Sequence, residues 1–383
     1  MLTLITGAEV YAPIPLGTTD VLVDHDKIIK VGPADRRGLD LLGVEHEIIE
    51  AQGCVVVPGF IDPHEHLLGG SGEGSLALQS PMIFLSEIVR FGITTVVGVL
   101  GVDTTMKTMA GLLARVKGLH EEGLSTRMWT GGYNVPPTAV MNSVREDIMF
   151  IDEIVGTGEV AIADPRSLGA STHELAKVVK DTHVGGLLAG KAGITHFHVG
   201  EGNARLKQLR ELVEEYEVEA AQLYPTHVER TEQLMDEALE FATARAYVDI
   251  DCVNGDAHRW IKYYLAHGGP AEQLTLSSDS GMSAPRGLTE AVSDAVLCHG
   301  IPLEVILPMV TSNTADALRL EKKGRIASGL DADLVVLEGG TLAVREVMAM
   351  GRRMVRDGRL VVREQFLEKS TRSIELYGQA NDE

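Results

Sequence analysis

The sequence is poor in cysteine, aromatics and basic charge, and it has no long apolar run. Its three cysteines, Cys54, Cys252 and Cys298, have no C-x-x-C spacing. An odd, sparse set of this kind reads as reduced thiols in a cytosolic protein. Aromatic residues make up only 4%, which disfavours stacking platforms for bases or polysaccharide. Lys and Arg number 34 against 55 Asp and Glu, a formal charge of −21. That balance argues against nucleic acid and anionic membrane as partners, because both present dense negative charge. No apolar stretch reaches the roughly 18 residues of a membrane span. The start, MLTLITGAEVYAP, lacks the basic region and apolar stretch of a signal peptide. A cytoplasmic location is the resulting expectation.

What is present is a change of rhythm. The 383 residues fit a large barrel with a small satellite domain. Residues 1–57 and 321–367 read as short strands broken by Pro and Gly, with Val55-Val56-Val57 a buried run and Gly351 and Gly358 at hairpin-like turns. These two ends are predicted to pair into one small β-sandwich. Across 58–320, strand-like stretches alternate with helical patterns such as ARLKQLRELVEEYE. The expected strands are VVVPGFIDPHEH, GITTVVGVL, STRMWTG, EVAIAD, GITHFHVG, LYPTHVE, YVDIDC and LTLSSD. Eight β-α alternations predict an α/β fold, a closed parallel (β/α)8 barrel. An open doubly wound sheet is the weaker alternative, since no G-x-G-x-x-G follows an early strand. Residues 368–383 read as a charged, frayed tail.

The chemistry-bearing residues fall at predicted strand ends. In PGFIDPHEH, His64 and His66 are two apart on a strand, so both imidazoles share a face while Glu65 points away. His198 (GITHFHVG), His227 (LYPTHVE) and Asp279 (LTLSSDSG) close later strands, where barrel enzymes build their sites. Four histidines and an aspartate converging there suit a divalent transition metal such as zinc. His196, two residues before His198, is read as a packed histidine one layer deeper. Lys191, in a Gly-rich turn, is read as structural or surface.

On these residues, and on TGGYNVP, ADPRS, VGGLLAGKAGIT, LYPTHVER and LTLSSD, the chain resembles the amidohydrolase superfamily and within it the isoaspartyl dipeptidase family. The likeness runs from PGFIDPHEHLLGGSGE to GLDADLVVLEGG. It implies a metallo-hydrolase barrel plus sandwich, two divalent ions, usually zinc, and homo-oligomeric assembly. His64 and His66 would bind the more buried ion, and His198 and His227 the more exposed one. Asp279 would be both ligand and general acid/base, and Tyr133 would donate to the oxyanion. Glu73 would hold the ammonium of a small dipeptide-like substrate. Arg166 and Arg230 would hold its α-carboxylate, with Ser283 near the other carboxylate.

Two positions depart from the family pattern. Its bridging group is a carboxylated lysine, but no lysine lies between Arg145 and Asp164. The matching residue is Glu159, which has the same charge, two oxygens and a shorter arm, and which opens EVAIAD. Val102 stands where the family has a substrate-binding threonine. The leading reading is metal-dependent hydrolysis of the β-aspartyl isopeptide bond. A hydrolase of another amide, such as an N-acyl amino acid or cyclic imide, is the alternative. A non-catalytic scaffold on the same fold is disfavoured because the five strand-end ligands are all present.

Overall fold

In the computed structural model, residues 2–371 are described, so most of the expected tail lies outside them. Two sheets organise the chain. The first is built from both ends: β1 (Leu2–Tyr11), β2 (Pro15–Asp24), β3 (Lys27–Val31), β4 (His46–Glu50) and β5 (Cys54–Pro58), then β14 (Leu334–Glu338), β15 (Val344–Ala349), β16 (Arg352–Arg356) and β17 (Arg359–Leu360). Its order is β17-β16-β15-β14-β5-β1-β2-β3, with β4 also on β1. The antiparallel pairing of β5 with β14 joins the two ends of the chain. This sandwich-like unit has its own apolar core, including Ile5, Val10, Val21, Val56, Leu334 and Val336. Gly351 and Gly358 supply the left-handed backbone of the hairpins, with φ of 73° and 71°.

The second sheet holds eight strands in sequential parallel order: β6 (Phe60–Glu65), β7 (Ile93–Gly98), β8 (Ser125–Thr130), β9 (Ile154–Ile162), β10 (Ile194–Val199), β11 (Leu223–Thr226), β12 (Val248–Asp251) and β13 (Leu274–Ser277). A parallel bridge between Glu65 and Ser280 brings the first and last strands together. The result is a nearly closed (β/α)8 barrel, so the doubly wound alternative falls. Every residue of β6, β7, β9 and β10 is buried, as expected of strands covered on both faces. Several of the surrounding helices begin on side-chain caps, including Thr108, Ser171 and Thr231.

Three local readings need correction. VVVPGFIDPHEH is not one strand but β5 and β6, which belong to different sheets. The chain crosses at Gly59, where a Cβ would lie 2.1 Å from Thr94 Oγ1. Of EVAIAD only EVAI lies in β9, as its C-terminal part, so Glu159 does not open the strand. Gly156 and Gly158 look like turn signals, yet they serve close packing. A Cβ on Gly156 would lie 2.2 Å from the Ile194 carbonyl oxygen, and one on Gly158 would lie 2.6 Å from His196 Cβ. LYPTHVE ends as a strand at Thr226, because His227 adopts a left-handed φ of 63°. A short helix, Arg36–Leu42, was also unforeseen; it is capped by Asp35 and stopped by Gly43.

Candidate active site

The C-terminal ends of the barrel strands bring the predicted residues into one cavity of about 390 Å³. Its wall includes His66, Glu73, Val102, Tyr133, Glu159, Arg166, His198, His227, Arg230, Asp279 and Ser283. His64 lies fully buried behind that wall, its ring centroid 5.3 Å from that of His66. His66 fits because Gly101, with φ 73°, leaves room; a Cβ there would come within 2.6 Å of its ring.

Glu159 sits at the centre. Its Oε1 is 2.7 Å from His198 Nδ1 and 3.5 Å from His227 Nε2. Its Oε2 is 3.4 Å from His64 Nε2. Each carboxylate oxygen therefore faces a different imidazole set. Asp279 Oδ1 lies 3.3 Å from His64 Nε2 and 3.2 Å from His66 Nε2. Asp279 and His227 both hold left-handed backbone, φ 45° and 63°. Such conformations in non-glycine residues are strained and cluster at functional sites.

Hydrogen bonds decide which nitrogen each ring presents. His196 Nδ1 faces the Tyr224 carbonyl at 3.1 Å, and a carbonyl only accepts, so this nitrogen carries the proton. Burial holds His196 well below the usual imidazole range, so the ring is neutral and its Nε2 accepts. His64 Nδ1, 3.1 Å away, must then donate to it, leaving His64 Nε2 aimed at the carboxylates. His196 is thus packed, as predicted, stacked on Trp129 at 4.9 Å, and it also orients His64. His227 is set in the same way: its Nδ1 donates to Asp251 at 2.8 Å, and its Nε2 turns to Glu159.

The electrostatics favour a bound cation. Burial opposes charge on Glu159, but His64, His198 and His227 hold its carboxyl well below the usual range. Burial likewise opposes the His64 imidazolium, yet Glu159 and Asp279 push it up to about 9. The site therefore collects positive charge on its imidazoles to balance the buried Glu159 and the partly exposed Asp279. Even so, His64 Nε2 and Glu159 Oε2 are buried without a hydrogen-bond partner, although such atoms are normally satisfied. His64, His66 and Asp279 form one group close enough to share an ion, and His64, Glu159 and His227 form another. Imidazole nitrogens with carboxylate oxygens are the donors a divalent transition metal takes, so the residues present fit one.

The rest of the cavity is arranged for a charged ligand. Arg166 pairs with Glu73 at 2.6 Å and with Asp164 at 2.7 Å. Arg230 meets Glu201 at 3.4 Å, and its Nε is buried without a hydrogen-bond partner. Tyr133 Oη is 2.9 Å from His198 Nδ1. Burial, with Glu159, pushes its phenol well up, so it stays a donor. Ser283 Oγ donates to the Asp279 carbonyl at 3.1 Å. Lys191 is structural, its Nζ donating to the Ile148 and Ile151 carbonyls at 2.7 and 2.5 Å.

Two residues escaped the sequence reading. Asp164 accepts from Arg166 and lies 3.0 Å from His198 Nε2, and the Arg166 hydrogen bonds hold its carboxyl far below the usual range. Asp251, at the end of β12, orients His227. Both occupy motifs already singled out, ADPRS and YVDIDC, and a carboxylate at a barrel strand end was the available signal.

The amidohydrolase family model matches residues 55–361. A β-aspartyl dipeptidase from Fervidobacterium islandicum AW-1 is 35% identical, covering 95% of this chain and 99% of its own, with a TM-score of 0.90. A structure of β-aspartyl dipeptidase from that organism, with β-Asp-Leu bound, superposes with a TM-score of 0.89 at 34% identity and the same coverage. Among curated proteins, an adenine deaminase from Shouchella clausii is 22% identical over 83% of the chain. The chain spans about half the length of such relatives, 52% in that case.

Proposed function

The chain belongs to the amidohydrolase family, and on that premise we propose that it is a hydrolase of β-aspartyl dipeptides, acting through two divalent ions. The observation that carries the proposal is the composition of one cavity: a zwitterion clamp of Glu73, Arg166 and Arg230 beside the carboxylate-imidazole nest. A β-aspartyl dipeptide presents an ammonium and an α-carboxylate next to the scissile side-chain amide, and the clamp matches both charges. Glu73 takes the ammonium, and Arg166 exchanges Glu73 for the carboxylate, joined by Arg230.

His64, His66 and Asp279 would hold one ion and His198 and His227 the other, with Glu159 giving an oxygen to each. When bound, such a pair supplies Lewis acidity and a water acidic enough to attack at neutral pH. Asp279 would take a proton onto its carboxylate from the attacking water and deliver it to the departing amine. Tyr133 donates its phenolic hydrogen to the developing oxyanion. Asp164 and Asp251 keep His198, Arg166 and His227 in place.

The names of curated relatives favour a second reading, deamination of a purine-like ring. A neutral base offers no ammonium to Glu73 and no carboxylate to Arg166 or Arg230, which weighs against it. Val102 on the cavity wall keeps other amides, such as N-acyl amino acids and cyclic imides, in the comparison, since it removes a hydroxyl donor. The test is a panel on zinc-loaded protein: β-Asp-Leu, N-acetyl-leucine, a cyclic imide and adenine. β-Asp-Leu should turn over fastest. Turnover of any of the others with none of β-Asp-Leu sinks the proposal.

A further inference from the structure

Glu73 is the member of the zwitterion clamp with the least support of its own. Its side chain is exposed, and among the described residues its carboxylate has one hydrogen-bond partner, Arg166 at 2.6 Å. On the proposed function, that partner turns to the substrate's carboxylate. Glu73 is then placed by its backbone alone, and its position depends on what holds the loop after β6.

That loop is drawn in at its neck. Glycines let its two limbs touch: a Cβ on Gly69 would lie 2.3 Å from the Ser80 carbonyl oxygen, and one on Gly72 would lie 2.3 Å from the Gln79 amide nitrogen. From one side the buried Lys107 Nζ donates to the carbonyls of Gly69 and Gly70, the latter at 2.7 Å. From the other, Ser80 Oγ accepts from the Gly70 amide at 2.7 Å and donates to the Gly281 carbonyl. Gly281 lies two residues past Asp279, so the neck also touches the loop that carries the proposed general acid/base. Lys107 itself stands on a firm base. Asp103 accepts from the amides of Thr105 and Met106 at 2.9 Å each, and Thr108 caps the helix Met109–Glu121.

Burying an ammonium costs free energy unless it is hydrogen-bonded. Among the described residues Lys107 pairs with no carboxylate, and two successive carbonyls supply its bonds. Such charge-assisted bonds are roughly twice as strong as neutral ones. Both hold the backbone three and four residues before Glu73. We infer that Lys107, with Ser80, is a positioning residue for the substrate's ammonium. It fixes the neck of the loop, so that the Glu73 carboxylate stays in place when Arg166 leaves it. The identity of the ligand rests on the β-aspartyl reading.

The probes are L-aspartate, the acid released from a β-aspartyl dipeptide, and succinate, the same diacid without the ammonium. Binding to zinc-loaded protein is measured by calorimetry for the wild type, Lys107→Met and Ser80→Ala. Lys107→Met keeps the side chain's length and removes its donors; Ser80→Ala serves if that variant does not fold. Each variant should lose about tenfold in affinity for aspartate and keep its affinity for succinate. Amide hydrogen exchange should quicken across residues 67–80 of the variants and stay unchanged in the barrel strands. Equal loss for both ligands would mark a merely structural role and overturn the inference. So would a preference for aspartate that folded variants retain, or unchanged exchange in the loop. Wild-type protein that binds aspartate no better than succinate would overturn the β-aspartyl reading and this inference together.

Discussion

A carboxylate at position 159 and a carboxylated lysine both offer two oxygens and one negative charge, but only the second must be made from carbon dioxide. Glu159 already faces His198 and His227 with one oxygen and His64 with the other. Activity recovered with zinc after chelation should therefore be indifferent to added bicarbonate; a bicarbonate requirement would contradict this. Glu159→Ala should lose one equivalent from the barrel site, counted by metal analysis. Asp251→Asn keeps an acceptor for His227 Nδ1 but removes its charge. Losing such an outer partner typically costs 10–100-fold in metal affinity, and chelator competition should read a drop of about that size. The contrast between these residues shows what a sequence exposes. His64, His66, His198, His227 and Asp279 were legible as candidates because each falls at or just past the end of a strand-like stretch. Asp164 and Asp251 were not, because their roles depend on neighbouring strands reaching His198 and His227, which no local pattern records. His196 was read correctly as packed, but its hydrogen bond to His64 is a relation across the barrel.

At the scale of elements, alternating apolar stretches made the barrel legible, but the strand read as EVAIAD begins five residues earlier, at Ile154. In β9, IVGTG looks like a break, and only the neighbouring strand explains it. A methyl on Gly156 would press on the Ile194 carbonyl, a backbone atom that cannot rotate away. Gly156→Ala should destabilise the protein by about 3 kcal/mol, the upper end of the usual range for overpacking, or prevent folding; an unchanged urea midpoint would refute the close approach. A second element-scale device was invisible to pattern reading. Lys323 joins the first residue of β8, through Ser125 Oγ at 2.6 Å, to Asp331 at 2.8 Å and to Asp333 ahead of β14. Asp333 is almost fully buried, so removing its cation strands a charge. Lys323→Met should cost about 3 kcal/mol, read as a lower denaturation midpoint. Asp331 adds a pH signature. Burial raises its carboxyl, but Lys27 and Lys323 lower it on balance. Its stabilisation is therefore complete above the unfolded value, about 3.9, and fades as pH falls through the lower folded value.

The whole molecule carries −21, and a β-aspartyl dipeptide at neutral pH carries two carboxylates and one ammonium, net −1. On the proposed function, long-range field and substrate repel, while Arg166 and Arg230 would attract at close range. Salt separates the two effects, because screening length falls from about 30 Å at 0.01 M to about 8 Å at 0.15 M. Over that interval the distant carboxylates drop out first, whereas contacts inside the cavity are only partly screened. The KM for β-Asp-Leu should therefore fall as salt rises, by about two- to fivefold, with kcat unchanged. A C-terminally amidated dipeptide has no net charge and should show little change, which guards against a general salt effect on the enzyme. A KM that rises with salt would mean that the cavity cations dominate capture even at a distance. The overall acidity would then be irrelevant to substrate approach as well as to substrate choice.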